Sequence, residues 1–287
     1  MVTIWELDFY SRPILDERNK KRWEVLISEG PQTVADNPEG LFRYSKFLSN
    51  TQINSLELQA AIEEAITEAG APPNRIRFFR LPMQAMITRA CEALGIAAKP
   101  SRRTLALQQW LDYRKTEVYP HEPGYTDKPS PTVAAPPPSP RPLPDALVGQ
   151  QWAFVNLPAK EFAEMPDWSM DFGEAFPLSL AAVEPDTMIP GIVIFSPRAT
   201  AMAAWMSGLE LAEIQIESTQ SPRLILETGA AESWVLSPLG TPDLQKEAKN
   251  FEATKRAANQ VHFLALQISA ETEAFAGFWL MQGLQLG

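Results

Sequence analysis

Three carboxylates near the start of the chain are spaced for chemistry. Glu6 and Asp8 lie two positions apart in the run IWELDFY, so in a strand they share one face, and Glu24 follows in the next strand-like run. Carboxylates grouped on paired strands can hold Mg²⁺ for phosphodiester cleavage. The simpler account of the same spacing is a solvated strand face. The two histidines, His121 and His262, are far apart and carry no triad pattern, and no GxSxG, Walker A or dinucleotide fingerprint occurs.

The basic residues fall into three groups. Lys20, Lys21 and Arg22 open the second strand-like run. Arg75, Arg77 and Arg80 alternate with Ile76, Phe78 and Phe79, and Lys99, Arg102 and Arg103 come just after the following strand. If these strands are neighbours, their ends form a local cationic groove with aromatic rings beside it, which is what single-stranded RNA binding requires. In the second half, four of the seven basic residues are Lys246, Lys249, Lys255 and Arg256. Lys246, Lys249 and Arg256 project to one side of a helix, opposite Leu244, Ala248, Phe251 and Ala258, and are candidate phosphate contacts. Scattered surface arginines paired with nearby acids are the alternative for the first-half groups, and a solvated helix face is the alternative for the last.

Elements to position these residues are legible. Residues 3–11, 21–28 and 41–48 read as strands, with Pro13–Asn19 as a polar connection. A helix follows, capped by Asn54, with Glu57 placed as in a capping box and Gly70 as the stop. RIRFFRLPMQAMITRACEALGIAAK and IVIFSPRATAMAAWMSGLELAEIQI each read strand, proline at a first helical turn, helix, glycine, strand. Both suit a parallel crossover. A helix over 104–118 and the loop Tyr119–Tyr125 close the first half. Trp152–Leu157 reads as a strand, and residues 160–190, rich in proline and acid, as an irregular or short-helical cover. Arg223–Leu226 and Ser233–Leu236 suggest a hairpin, Thr241-Pro242-Asp243 starts a helix to about Asn259, and Val261–Ile268 and Phe275–Met281 are strands. The expectation is α/β: two domains with mixed sheets and β-α-β units.

Between the halves, eight of the sixteen residues from Pro129 to Pro144 are proline, which predicts a polyproline II spacer. The domains are expected at 1–125 and 151–287, with 126–150 as linker. Residues 1–150 hold 18 Lys+Arg and 18 Asp+Glu, and residues 151–287 hold 7 and 17, so the net charge of −10 belongs to the second half. That sign argues against non-specific adhesion to nucleic acid without excluding a local basic groove. The single cysteine, Cys91, excludes an internal disulfide and sits in an apolar helical pattern, as an inert buried thiol would. No run is long and apolar enough to span a membrane. MVTIWELDFYSR has no basic n-region, so neither a signal nor a transit peptide is expected.

Two resemblances add to this reading. The carboxylates and the β-β-β-α order are similar to the PD-(D/E)xK nuclease arrangement. However, Leu26 stands two after Glu24, where that family keeps lysine, and Glu213-Ile214-Gln215 lacks it as well. More extensively, WELDFYSRPILDERNKKRWEVLI at 5–27, KPSRRTLALQQWLDYRKTEVYPHEPGY at 99–125, RLILETG at 223–229, EAKNFEATKRAANQVHFLALQ at 247–267 and FAGFWLM at 275–281 resemble the Tab-two/Atab-two RNA-binding family.

That second resemblance implies a non-catalytic protein without cofactor or metal. It implies binding to the A/U-rich 5′ leader of a photosystem I reaction-centre message, activation of its translation, and support of photosystem biogenesis. A family Trp-Leu-Leu tripeptide maps to Trp279, Leu280 and Met281, with Trp234-Val235-Leu236 a poorer match. From the residues alone, either tripeptide reads as a buried strand. Expected partners are the RNA and translation or photosystem-assembly proteins, without membrane insertion. A cyanobacterial-type member working in the cytoplasm near thylakoids is implied. A nuclease-like protein built on Glu6, Asp8 and Glu24, degenerate or active, and an assembly scaffold that touches no RNA are the competing functions.

Overall fold

The computed structural model describes residues 2–127, 139–144, 147–149, 151–217, 221–284 and 286. The chain forms two compact units. One comprises Met1–Gly30, Glu39–Pro136 and Leu286–Gly287; the other comprises Pro31–Pro38 and Pro137–Gln285. Both are mixed α/β.

In the first unit β1 (Ile4–Leu15), β2 (Lys21–Gly30) and β3 (Arg43–Leu48) form an antiparallel meander. Then α1 (Ser55–Ala69), β4 (Arg75–Phe78), α2 (Gln84–Ala93) and β5 (Ala97–Pro100) add two parallel strands on the other side of β1. The sheet order is β3-β2-β1-β4-β5. Period-two alternation divides β1 between two cores. Trp5, Leu7 and Phe9 pack with Leu58, Ala61 and Ile62 of α1 and Ile87 and Ala90 of α2. Asn54 caps α1, accepting from the Leu56 and Glu57 N–H groups at 3.0 and 2.9 Å, and Gly70 ends it with φ of 79°. The reciprocal half of a capping box is replaced: the Asn54 N–H goes to Gln52 O, and the Glu57 carboxylate accepts from Gln52 Nε2.

The opposite face of the sheet is covered by α3 (Leu105–Tyr113), which runs into one π-helical turn at Arg114–Val118 and a 3₁₀ turn at Tyr119–His121. Leu107, Trp110, Leu111 and Tyr119 pack there on Ile14 and Leu26. The expected polar connection from Pro13 is shorter than anticipated, because β1 continues to Leu15. Its far end is held from the side: Leu15 N–H donates to Gly124 O, and Thr126 N–H donates to Pro13 O.

In the second unit a five-stranded sheet has the order β7-β9-β13-β14-β8. Its strands are β7 (Gln151–Pro158), β8 (Met170–Glu174), β9 (Met188–Phe195), β13 (Val261–Gln267) and β14 (Phe275–Gln282). A four-stranded sheet has the order β10-β11-β12-β6, from β6 (Arg141–Pro142), β10 (Leu211–Glu217), β11 (Arg223–Thr228) and β12 (Glu232–Pro238). Met202, Ala203 and Met206 of α4 (Ala199–Ser207) and Phe251 of α5 (Pro242–Ala257) pack with Ile214, Leu224, Leu264 and Trp279 in one core.

The hairpin, the Thr241-capped helix and the two final strands form as read. One expectation does not hold, and a second holds in part. The crossover expected over β9-α4-β10 is not a parallel one, because β10 leaves the sheet of β9 and pairs antiparallel with β11. Its counterpart β4-α2-β5 is parallel. The acidic cover at 160–190 is short-helical at Ala159–Asp167 and Leu178–Ala181, as read, but it also contains β8, paired parallel with β14. Of the proline-rich stretch, residues 129–138 lie outside the described residues, while Arg141–Pro142 is a short strand paired with Trp234 and Val235.

Candidate nucleic-acid interface

Glu6, Asp8 and Glu24 share a sheet face, as their spacing requires, but that face is neither solvated nor open to a metal ion. All three are buried beneath α3 and the π-helical turn. Asp8 accepts from Arg12 Nη1 at 2.9 Å through one oxygen and from Arg80 Nε at 2.6 Å through the other. Glu24 accepts from Arg12 Nε at 2.7 Å, from the Tyr119 hydroxyl at 2.5 Å and from Arg114 Nη2. Glu6 accepts from the Leu107 N–H at 2.7 Å. Burial alone would raise the pKa of Asp8, but the adjacent Arg12 and Arg80 guanidiniums outweigh it and hold the carboxyl below its ordinary value. Burial, reinforced by Glu24, pushes the Tyr119 phenol up, so it stays a donor. Among the described residues no group of three His, Cys, Asp or Glu side chains is arranged to hold a metal. An ion at Asp8 or Glu24 would have to displace arginines already bound.

The same network takes in part of the expected RNA-binding set. Arg80 is spent on Asp8, with its guanidinium 4.0 Å from the Tyr10 ring centre and 4.8 Å from that of Phe79. Arg77 is 1% exposed, in register with Glu6, so it lies in the interior and not at a surface contact. Arg75, Arg102 and Arg103 are half-buried and engaged with neighbours, and Lys99 is exposed. Because β1, β4 and β5 are parallel, Arg80, Arg102 and Arg103 follow the strand ends at the side of the sheet where the β1–β2 hairpin projects.

That hairpin carries the open feature. Its tip and the turn after β3 enclose a groove lined by Leu15, Asp16, Glu17, Arg18, Lys20, Arg22, Ser49, Asn50, Thr51, Pro123 and Gly124. The tip is ordered by its own backbone. Asp16 N–H donates to Lys20 O at 2.8 Å, and the Asp16 carboxylate accepts from the Arg18 and Lys20 N–H groups at 2.9 and 2.8 Å. Gly124 is required where it lies: φ is 86°, and a Cβ there would collide with Leu15 O. Arg22 lies 4.1 Å from the Phe47 ring centre and reaches Glu122 at 3.4 Å, both side chains being about a third exposed. Lys20, Lys21 and Arg22 lie together at the start of β2, Lys21 half-buried and engaged, and of the basic residues expected in one groove only Lys20 and Arg22 line this one. Arg18 adjoins them in the same turn, whereas Ser49 and Thr51 join them only through the fold.

On α5, Lys246, Lys249 and Arg256 are exposed, while Ala248, Phe251 and Ala258 are buried. Lys255, grouped with those cations in the sequence, is buried instead. Its ammonium donates to Glu213 Oε1 and Ile214 O, both at 2.7 Å. The 248, 251, 255, 258 spacing already puts it on the apolar stripe. His262 is also internal: Nε2 accepts from the Ile214 N–H, and the Nδ1 side meets Gln260 O, both at 2.8 Å. This arrangement requires the neutral ring with its proton on Nδ1.

Comparison with known proteins identifies the chain. The family described as RNA-binding protein Tab2/Atab2 N terminal matches residues 4–114, and the one described as RNA-binding protein Tab2/Atab2, C-terminal domain, matches residues 130–282. The chain belongs to the Tab2/Atab2 family of RNA-binding proteins. Curated relatives agree. The chloroplastic protein TAB2 homolog of Zea mays is 38% identical over 98% of this chain and 71% of its own length; that of Arabidopsis thaliana is 39% identical over 96% and 74%. A solved simian T-cell lymphotropic virus intasome complex aligns at a TM-score of 0.31 and 17% identity over 41% of this chain and 40% of that chain, too little to carry an argument.

For a Tab2/Atab2 protein the tripeptide at Trp279, Leu280 and Met281 is of particular interest, and here it is wholly internal. The three residues are 3%, 0% and 0% exposed in β14, between β13 and β8. Trp279 packs against α4. Trp234, in the poorer match, is half-buried, meets Trp205 edge-on at 5.1 Å and lies under the Arg141 guanidinium at 4.6 Å.

Proposed function

We propose that this protein is a non-catalytic activator of translation that binds an A/U-rich 5′ leader of a photosystem I reaction-centre message and so supports photosystem biogenesis. The observation that carries the reading is the match of both halves of the chain to the two Tab2/Atab2 RNA-binding domains. Exposed cations at the β1–β2 hairpin and on α5 supply phosphate contacts on a chain whose net charge is otherwise unfavourable. The absence of catalysis is supported by the engagement of Asp8 and Glu24 with arginines, which leaves a hydrolytic metal no free ligand there. The protein works near thylakoids with translation or assembly partners. No helix among the described residues is long and apolar enough to cross a membrane.

Crosslinking in cells followed by RNA sequencing tests target and activity together. Enrichment of the reaction-centre leader, with ribosome occupancy on that message falling when the protein is depleted, is the expected result. Crosslinks spread without regard to message, or occupancy unchanged on depletion, reject it. Incubation of labelled leader RNA with protein and Mg²⁺ should leave the RNA intact, and cleavage proportional to protein concentration would favour the nuclease reading.

A further inference from the structure

We propose that the groove at the β1–β2 hairpin grips single-stranded RNA by its sugar–phosphate backbone alone, with Arg18 and Lys20 on phosphates, so that it supplies affinity without choosing sequence. The inference rests on the RNA-binding reading and divides the labour within it.

The walls are charged and polar and carry no aromatic ring. Three cations, the two acids Asp16 and Glu17 and three small polar side chains line the groove. Sequence choice in single strands comes from hydrogen bonds to the edges of bases that are splayed out and held by stacking on rings, the stacking itself being indifferent to sequence. Cations, hydroxyls and amides serve phosphate oxygens and ribose hydroxyls, which every nucleotide shares. Phe47, beside Arg22, lies under its guanidinium.

The cations are also arranged for this use. Among the described residues neither Arg18 nor Lys20 has an ion-pair partner, and both are exposed. The nearest carboxylate in sequence, that of Asp16, is occupied by the backbone N–H groups of those two residues. It therefore fixes the turn and is not bound to their side chains. Because the tip is already ordered by backbone hydrogen bonds, little main-chain entropy is lost when RNA arrives. Arg22 is a third contact held in reserve, since its 3.4 Å pair with Glu122 is long and solvent-accessible.

The test uses the full chain and two single-stranded RNAs of equal length, one A/U-rich and one not, titrated across a range of monovalent salt. Each phosphate contact contributes a slope of about 0.7 on a log–log plot, equivalent to about fivefold in affinity at roughly 0.1 M salt. Arg18→Gln/Lys20→Gln should therefore flatten the slope by about 1.4 and weaken both strands roughly 25-fold, leaving their affinity ratio unchanged. Glu17→Gln, which removes an acid from the same wall, should tighten both strands about two- to threefold, a gain that misfolding does not produce. An unchanged slope in the double variant overturns the proposal, as does a loss confined to the A/U-rich strand. If the unmodified protein binds neither strand, the RNA-binding reading falls and takes the groove with it, an outcome distinct from the other two.

Discussion

At the residue scale the main physical object is the buried charge network. Asp8 and Glu24 sit with Arg12, Arg80 and Arg114 where water is excluded. Such a network is costly to assemble and more costly to break, because removing one member strands the others. Glu24→Ala leaves Arg12 Nε, Arg114 Nη2 and the Tyr119 hydroxyl without that acceptor, while Arg12 keeps Asp8, and should lower stability by about 3–5 kcal/mol, read as a fall in denaturant midpoint with unchanged slope. The network also sets an acid limit. A carboxyl held below its ordinary value in the folded state contributes stability that is complete above the unfolded carboxyl's titration and is lost as pH falls through the folded value. For Asp8 that window lies below about pH 4, its ordinary value being 3.8. Asp8→Asn should be less stable than the parent at neutral pH, with the difference narrowing in acid; a constant difference down to pH 2 would refute the assignment. The sequence showed that these acids share a face because strand alternation is local. What covers that face was not legible, since α3 and the π-helical turn arrive some hundred residues later.

At the element scale, signals confined to a few residues were sound, while signals of partnership held only in part. Asn54 and Gly70 bound α1 as their side-chain chemistry requires, and Asn54→Ala should cost about 1 kcal/mol by freeing the Leu56 and Glu57 N–H groups, measurable as a midpoint shift. Thr241 bounds α5 in the same way, accepting from Leu244 N–H at 3.3 Å. By contrast, β9-α4-β10 and β4-α2-β5 read alike along the chain yet only the second is a parallel crossover. The difference lies in a later segment: β11 competes for β10 and draws it into another sheet. β8 escaped notice because Asp171, Gly173 and Glu174 mask a strand that depends on its parallel pairing with β14. The candidate groove shows the same division. Lys20 and Arg22 could be nominated from charge alone, whereas Ser49 and Thr51 reach it only because β3 ends beside the hairpin.

At the scale of the molecule, charge is unevenly distributed, and that has a kinetic consequence. Residues 160–190 carry Glu161, Glu164, Asp167, Asp171, Glu174, Glu184 and Asp186 against the single base Lys160. Glu161, Glu164, Asp167 and Asp171 are exposed. An approaching polyanion is repelled by such a segment over roughly a Debye length, about 10 Å at 0.1 M salt, and the repulsion acts on encounter more than on the docked state. Changing those four to Gln, Gln, Asn and Asn shifts the formal charge from −10 to −6. Association with either RNA strand should then accelerate severalfold at low salt, about three- to tenfold, and converge on the parent rate at high salt. Dissociation and strand preference should stay where they were. If the quadruple variant instead bound RNA normally but lost capture of a ribosomal or assembly protein, the acids would be a protein-docking surface, and their repulsion of RNA incidental. Stopped-flow rates at several ionic strengths, set beside a pull-down after RNase treatment, separate the two physical roles of one charge distribution.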